Sequence, residues 1–303
     1  MSIFKRGITA VATQAPMVLS ASRRTDIPAF FMPWFMQGIA RGFFEVENPY
    51  NRRLFRVDVR PDRVHSIVFW SKNYAPFLEG GFDRRLQERG YNLFFHYTLN
   101  GRQPLLEPGV PPVADRLEQL ARLCRRHDPR AITWRFDPIC HFSDSAAPHK
   151  PPQNNLAGFA EIAQRAAALG VRRCVTSFYD DYAKVRRRVR RGTSLGFSDP
   201  PLARKIAILN RMESFLGKIG VTLYTCCEKT LMDNLPATCS IQKSACIPHD
   251  ILVELFGGAL PGTADRGQRR QLGCGCRISR DIGSYRHQPC RHNCLYCYAS
   301  PAP

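Results

Sequence analysis

Two short stretches decide how this chain is to be read: Ser66-Ile-Val-Phe-Trp70 and Asn92-Leu-Phe-Phe-His-Tyr-Thr-Leu99. Each is nearly free of charge, dense in β-branched and aromatic side chains, and flanked by turn or polar residues. A strand that is apolar on both faces is buried between two layers, the usual state of parallel strands in α/β proteins. Working outward, runs of the same kind occur at 17–21, 131–136, 173–178 and 221–226. Amphipathic segments separate them. Val113, Leu117, Leu120, Ala121 and Cys124 share one helical face, and so do Leu202, Ile206, Leu209, Met212 and Leu216 before Gly220. Leu156, Phe159, Ile162, Ala163 and Ala166 form a third such face, with Asn154 or Asn155 placed to cap it and Gly170 to stop it. Further helices are expected near 28–41 and 83–89.

A strand–helix unit repeated about six times implies a parallel sheet with right-handed crossovers. The expected fold is α/β, a (βα) barrel, TIM-like or partial, over residues 1–238. An antiparallel hairpin is expected as an insertion near 43–59, around Asn48-Pro-Tyr-Asn51, and residues 140–153 read as a loop. From residue 239 the composition turns to Gly, Arg and Cys, with one helix at 249–256. Residues 239–303 are therefore expected to form a cysteine-rich, cluster-binding tail packed on the barrel mouth.

With 303 residues, 44% of them hydrophobic, the chain can bury a substantial core, which excludes a disulfide-stapled miniprotein and a disordered polymer. No apolar run approaches the roughly 18 residues of a membrane span, so no membrane association is expected. Lys5 and Arg6 open the chain, but Thr13, Gln14 and Pro16 interrupt the apolar stretch a signal peptide needs, and a cytoplasmic location is expected. The net charge is +19, carried by 36 arginines and eight lysines. A basic chain attracts polyanions, so nucleic acid stands beside small molecules as a substrate class. The run Lys184-Val-Arg-Arg-Arg-Val-Arg-Arg191 reads either as a solvated face or as a grip on a phosphate backbone.

Cysteine is the informative residue. Seven of the twelve fall within 239–303, and clustered cysteines in a cytosolic chain point to metal or redox chemistry. The last of them read Cys290-Arg-His-Asn-Cys294-Leu-Tyr296-Cys297. Three thiolates at spacings x3 and x2, with Tyr296 before the third, suit one compact loop around a [4Fe-4S] cluster and leave one iron without a protein ligand. Zinc is the alternative, with His287 or His292 as fourth ligand. A second set, Cys226, Cys246, Cys274 and Cys276, offers four thiolates for a closed site, either a second [4Fe-4S] cluster or zinc. Cys227 and Cys239 read as bystanders, although Cys227 can exchange roles with Cys226. Cys124, Cys140 and Cys174 read as small core residues.

Parallel α/β folds place ligands at the carboxyl ends of their strands. Those ends carry Arg23, Arg24 and Asp26, then Lys72, then Arg135 and Asp137, and finally Glu228, with Ser71, His96 and Ser177 among them. These seven charged residues are the candidate catalytic set. The cations suit phosphate or carboxylate groups, and the carboxylates suit orientation of those cations, ribose hydroxyls or proton transfer.

The CxxxCxxC loop resembles that of the radical S-adenosylmethionine enzymes. That resemblance implies three irons held by Cys290, Cys294 and Cys297, with S-adenosylmethionine chelating the fourth. It also implies reductive cleavage to a 5′-deoxyadenosyl radical and an electron donor such as a flavodoxin or ferredoxin. The string Cys290-x-His292-x-Cys294-x-Tyr296-Cys297-Tyr298 is similar to spore photoproduct lyase and its DNA-repair relatives. Over nearly the whole chain, Ser20-Ala-Ser-Arg-Arg-Thr-Asp-Ile-Pro28, Ile67-Val-Phe-Trp-Ser-Lys-Asn73, Trp134-Arg-Phe-Asp-Pro138, Gly273-Cys-Gly-Cys276 and Asp281-Ile-Gly283 resemble the bacterial domain-of-unknown-function family 1848. Unlike the usual radical enzymes, this chain places its cysteine loop after the barrel and has no Gly-Gly-Glu segment after the second strand.

Overall fold

The computed structural model describes residues 17–49 and 51–302. Lys5, Arg6, Thr13, Gln14, Pro16 and Tyr50 lie outside them. The chain opens with β1 (Met17–Ala21), α1 (Ile27–Phe30), α2 (Met32–Arg41), β2 (Phe43–Glu47), β3 (Leu54–Asp58) and β4 (Val64–Ser71). Then come α3 (Ala75–Glu79), α4 (Phe82–Gln87), β5 (Asn92–Thr98), α5 (Val113–Arg126) and β6 (Ile132–Arg135). β7 (His141–Asp144), β8 (Gln153–Asn154), α6 (Phe159–Ala168), β9 (Arg173–Thr176), α7 (Ala183–Gly192) and β10 (Leu195–Ser198) follow. The last elements are α8 (Leu202–Lys218), β11 (Thr222–Thr225), α9 (Lys229–Met232), β12 (Gln242–Lys243), α10 (His249–Phe256) and β13 (Arg280–Asp281).

Eight strands form one parallel sheet in the order β12-β11-β9-β6-β5-β4-β1-β13. Its six central members are the six expected runs, placed side by side in chain order with no reversal. A doubly wound sheet would reverse at a switch point. Among the described residues the two edge strands do not pair with each other, so the sheet is an open arc rather than a closed ring. The α/β class and the large parallel sheet stand.

The pleat explains why the central runs are apolar throughout. Ile67, Phe69, Phe95, Tyr97 and Trp134 face the helices, where Phe35, Phe77 and Leu120 complete the main core. Each fully buried aromatic there contributes about 2–3 kcal/mol. Val18, Val68 and Phe94 point to the opposite face and meet Ile247, Leu252 and Cys276 from the C-terminal part of the chain. The sheet is thus covered on both sides, by its own helices and by the segment that follows β11.

Three local expectations need correction. The helix near 28–41 is two helices, because Phe31 at φ −132° breaks the run; Asp26 caps the first and Pro33 opens the second. Residues 140–153 are not wholly loop, since β7 and β8 join β10 in an antiparallel sheet. Asn155 does not cap α6, which starts after Gly158; its amide instead binds the Cys140 backbone N–H (2.8 Å) and the Pro138 carbonyl (2.9 Å). β2 and β3 form an antiparallel pair, and no helix among the described residues is long and apolar enough to cross a membrane.

Candidate functional site

The C-terminal loop is held from three sides. Arg188, on α7, donates to the carbonyls of Cys294 (3.2 Å), Leu295 (2.9 Å), Cys297 (2.7 Å) and Ala299 (3.3 Å). Val185 and Val189 are buried on the same helix. The basic run is therefore an amphipathic helix that packs against the loop and turns one arginine into it. The segment after β5 supplies the second side: Leu106 accepts from the Leu295 N–H (2.9 Å), and the Gly109 N–H donates to His292 (3.0 Å). A methyl group added at Gly109 would collide with the backbone of Arg291 and His292, so the close approach requires glycine there. The third side is His292 itself, whose ring nitrogens face the Gly109 carbonyl (3.0 Å) and Asp26 Oδ2 (2.9 Å). Both nitrogens are engaged, and His292 is not available as the fourth zinc ligand.

Cys294 is buried, and Cys290 and Cys297 are half-buried. Burial, with Asp26 as the next cause, pushes the Cys290 thiol up to about 12, and burial also raises Cys294 and Cys297. The ammonium of Lys72 works against that rise at Cys294 and Cys297. Lys72 pairs with Glu107 (2.9 Å) and lies over the Tyr296 ring at 5.5 Å. Burial disfavours its ammonium, but Glu107 and Cys294 outweigh burial and hold the Lys72 pKa above its usual value. Glu107 Oε1 also accepts from Asn100 (2.9 Å) and from the Tyr296 hydroxyl. Its second oxygen, Oε2, is buried without a hydrogen-bond partner. A buried carboxylate oxygen left open costs about 1–3 kcal/mol unless a ligand or water fills it.

Asp26 has no such vacancy. Its oxygens accept from the Ala29 N–H (3.0 Å), the Ser71 hydroxyl (2.8 Å), the Lys72 N–H (2.9 Å) and His292. It joins the ends of β1 and β4 to the cysteine loop. Arg24 pairs with Asp281 (3.1 Å) and donates to the Gly283 carbonyl (2.8 Å). Asp281 in turn accepts from Ser20 (2.6 Å) and the Arg23 N–H (2.9 Å), which fastens β13 to the end of β1.

The second cysteine set gathers on the sheet face covered by the C-terminal segment. Cys226 Sγ lies 3.8 Å from Cys227 Sγ and 3.7 Å from Cys246 Sγ. The Cys246 N–H donates to Cys276 Sγ (3.2 Å), and Cys274 packs in the same cluster as both. Cys227 thus touches the set at Cys226 from outside, while Cys239 packs against the main core. Arg135 Nη1 stands 3.3 Å from Cys246 Sγ, and its Nη2 pairs with Asp137 (2.7 Å), which accepts from Ser177 (2.5 Å). Arg23 carries its charge toward Cys276 and Cys246 and pairs with Asp265 (3.5 Å). His96 Nε2 donates to the Cys246 carbonyl (2.8 Å), and the ring stacks on Trp70. Cys174 is buried and Cys124 half-buried in the main core, while Cys140, also buried, packs in the same apolar cluster as Cys294 and Tyr296.

Glu228 faces neither set. It lines a cleft of about 300 Å³ with Asp180, Asp181, Asp199 and Lys205, and burial raises its pKa to about 7. The seven expected rim residues therefore divide three ways: Asp26 and Lys72 with the loop, Arg23, Arg135 and Asp137 with the second set, and Arg24 and Glu228 elsewhere. Glu107, Arg188 and Asp281 went unread as site residues. Arg188 was hidden in a charge run, and Glu107 sits in irregular chain where no periodicity marks it. All twelve cysteines are free, and among the described residues no group of three or more His, Cys, Asp or Glu is placed to hold a metal ion without rearrangement.

Residues 18–299 match the family described as a domain of unknown function, DUF1848. The chain belongs to that family. The match spans β1 through the cysteine loop, so in this DUF1848 protein both cysteine sets fall within the family domain. No curated protein matches the DUF1848 chain.

Proposed function

We propose that this DUF1848 protein is an iron–sulfur enzyme of the radical S-adenosylmethionine type, built on a partial (βα) barrel whose mouth carries the C-terminal loop. The observation that carries the reading is the loop itself: three soft sulfur donors on one clamped turn, its histidine withdrawn, beside a carboxylate oxygen with no partner. Cys290, Cys294 and Cys297 would hold a [4Fe-4S] cluster, leaving one iron for an exogenous ligand. When bound, the cluster supplies the electron that cleaves S-adenosylmethionine. An electron donor such as a flavodoxin or ferredoxin, and a cytoplasmic setting, belong to the same reading.

The protein's own groups do the rest. Glu107 Oε2 offers an acceptor to an ammonium group, and Lys72 offers a cation to a carboxylate, so the pair can take the two ends of an amino acid moiety. Asn100 and Tyr296 hold Glu107 in place. Arg188 fixes four carbonyls of the loop and so sets where the three sulfurs point.

The test is electron paramagnetic resonance of the anaerobically reconstituted, reduced protein, with and without S-adenosylmethionine. We expect a cluster signal that changes on addition and that disappears when Cys290, Cys294 and Cys297 are all replaced by alanine. A signal indifferent to S-adenosylmethionine would leave electron transfer alone, and no signal would sink the proposal. Replacement of Glu107 by glutamine should weaken S-adenosylmethionine binding about tenfold or more while the cluster signal without it persists.

A further inference from the structure

We propose that Cys226, Cys246, Cys274 and Cys276 form a second metal centre, closed by four protein thiolates and independent of the C-terminal loop. These sulfurs come from three distant segments: the end of β11, the turn before α10 and the stretch before β13. Nothing in local sequence requires them to meet, yet Cys246, Cys274 and Cys276 pack in one cluster, the Cys246 N–H donates to Cys276 Sγ (3.2 Å), and Cys246 Sγ lies 3.7 Å from Cys226 Sγ. Cys227 Sγ stands 3.8 Å from Cys226 Sγ, outside the four.

Three observations favour a metal over a cluster of idle thiols. Cys226 Sγ and Cys246 Sγ, two of the four, stand 3.7 Å apart. Four ligands at about 2.3 Å around one tetrahedral ion stand about 3.8 Å apart. That pair is already at the spacing of a single soft ion, whereas a cubane would set it wider. Cations also face the sulfurs, as the net −2 of four thiolates on a dication asks: Arg135, buried and paired with Asp137, stands 3.3 Å from Cys246 Sγ, and half-buried Arg23, paired with Asp265, directs its charge toward Cys276 and Cys246. Finally, the backbone is bent to deliver the sulfurs. Cys227 has φ +61°, an uncommon conformation for a non-glycine residue. Gly275 lets the Cys274–Cys276 turn approach the Ser244 carbonyl, which an added Cβ would meet at 3.0 Å. Loading replaces four thiol protons by metal–sulfur bonds and releases those protons to solvent; no electron is transferred.

The experiment is metal analysis and X-ray absorption of the full chain with Cys290, Cys294 and Cys297 all replaced by alanine. We expect about one zinc per chain in an all-sulfur shell, or the iron and sulfide of a cluster; either establishes the centre, and zinc is the ion that fits the spacing already present. A folded but metal-free variant, with all remaining thiols open to a thiol reagent, overturns it. Should that variant fail to fold, Cys246→Ser in the otherwise intact chain decides the matter. Loss of one metal complement with the loop's spectroscopic signal retained supports the centre, and unchanged metal content refutes it. Because the loop's metal is read separately, failure of the radical-enzyme reading leaves this result standing.

Discussion

The two cysteine regions differ in how the chain brings sulfur together. In the C-terminal loop the three cysteines lie within eight residues, and the rest of the molecule serves to hold that loop against Asp26, Gly109 and Arg188. In the second region the fold itself is the assembling agent, joining β11 to two later segments across the sheet. The first site can be displaced as a unit by loosening its clamp. The second can be lost only by disturbing the packing of the C-terminal segment on the sheet. That contrast is open to direct attack.

The largest effect is expected from Arg188→Ala, which strands four carbonyls of the loop. We expect a loss of about 3 kcal/mol in denaturant unfolding and a sharp drop in iron retained by the loop, with the second centre's metal unchanged. Parallel loss of both would show that the two regions are coupled. Gly109→Ala acts on the same loop from the opposite side by overpacking, at about 2 kcal/mol, and the cluster spectrum should broaden or fade.

A reference remote from both regions is Asp83, on α4, bonded to Arg126 (3.0 Å) with His127 Nε2 3.5 Å away. Burial alone would raise its pKa, but those partners hold it down to about 2 against an ordinary 3.8. Its stabilisation is therefore present above about pH 4 and lost as pH falls through 2. Asp83→Asn should cost about 1–2 kcal/mol at pH 7, after allowance for solvent screening, and progressively less as the pH falls below about 4 and through 2. Metal content at both sites should not change. The smallest effect belongs to Cys227→Ser. As the outer thiol of the second set it should alter stability by less than about 1 kcal/mol and leave the metal in place. Complete loss of metal would instead make Cys227 a ligand and Cys226 the spare.

The same contrast explains what could be read from sequence. The six buried strands were legible because parallel strands covered on both faces leave continuous apolar runs, and each of 17–21, 66–70, 92–99, 131–136, 173–178 and 221–226 coincides with a strand of the central sheet to within two residues at either end. The loop motif was legible because its spacing is local. The role of Arg188 was not, since an inward-facing arginine in a basic helix has the same composition as an outward-facing one. Glu107 was invisible for a related reason: its importance lies in Lys72, Asn100 and Tyr296, which approach it from three other parts of the chain. The short strands β7 and β8 escaped notice because two to four residues carry too little pattern to distinguish a strand from a loop.

The pairing of β13 with β1 has a consequence for biosynthesis. Ser20 and Asp281 are 261 residues apart, yet they share a hydrogen bond at the foot of the site. On a ribosome, the first strand can pair with β4 early but must wait more than two hundred residues for β13 on its other side, and the three loop sulfurs emerge later still. The outer edge of β1 is therefore unpaired through most of its synthesis, a strand edge open to wrong partners until Asp281 arrives.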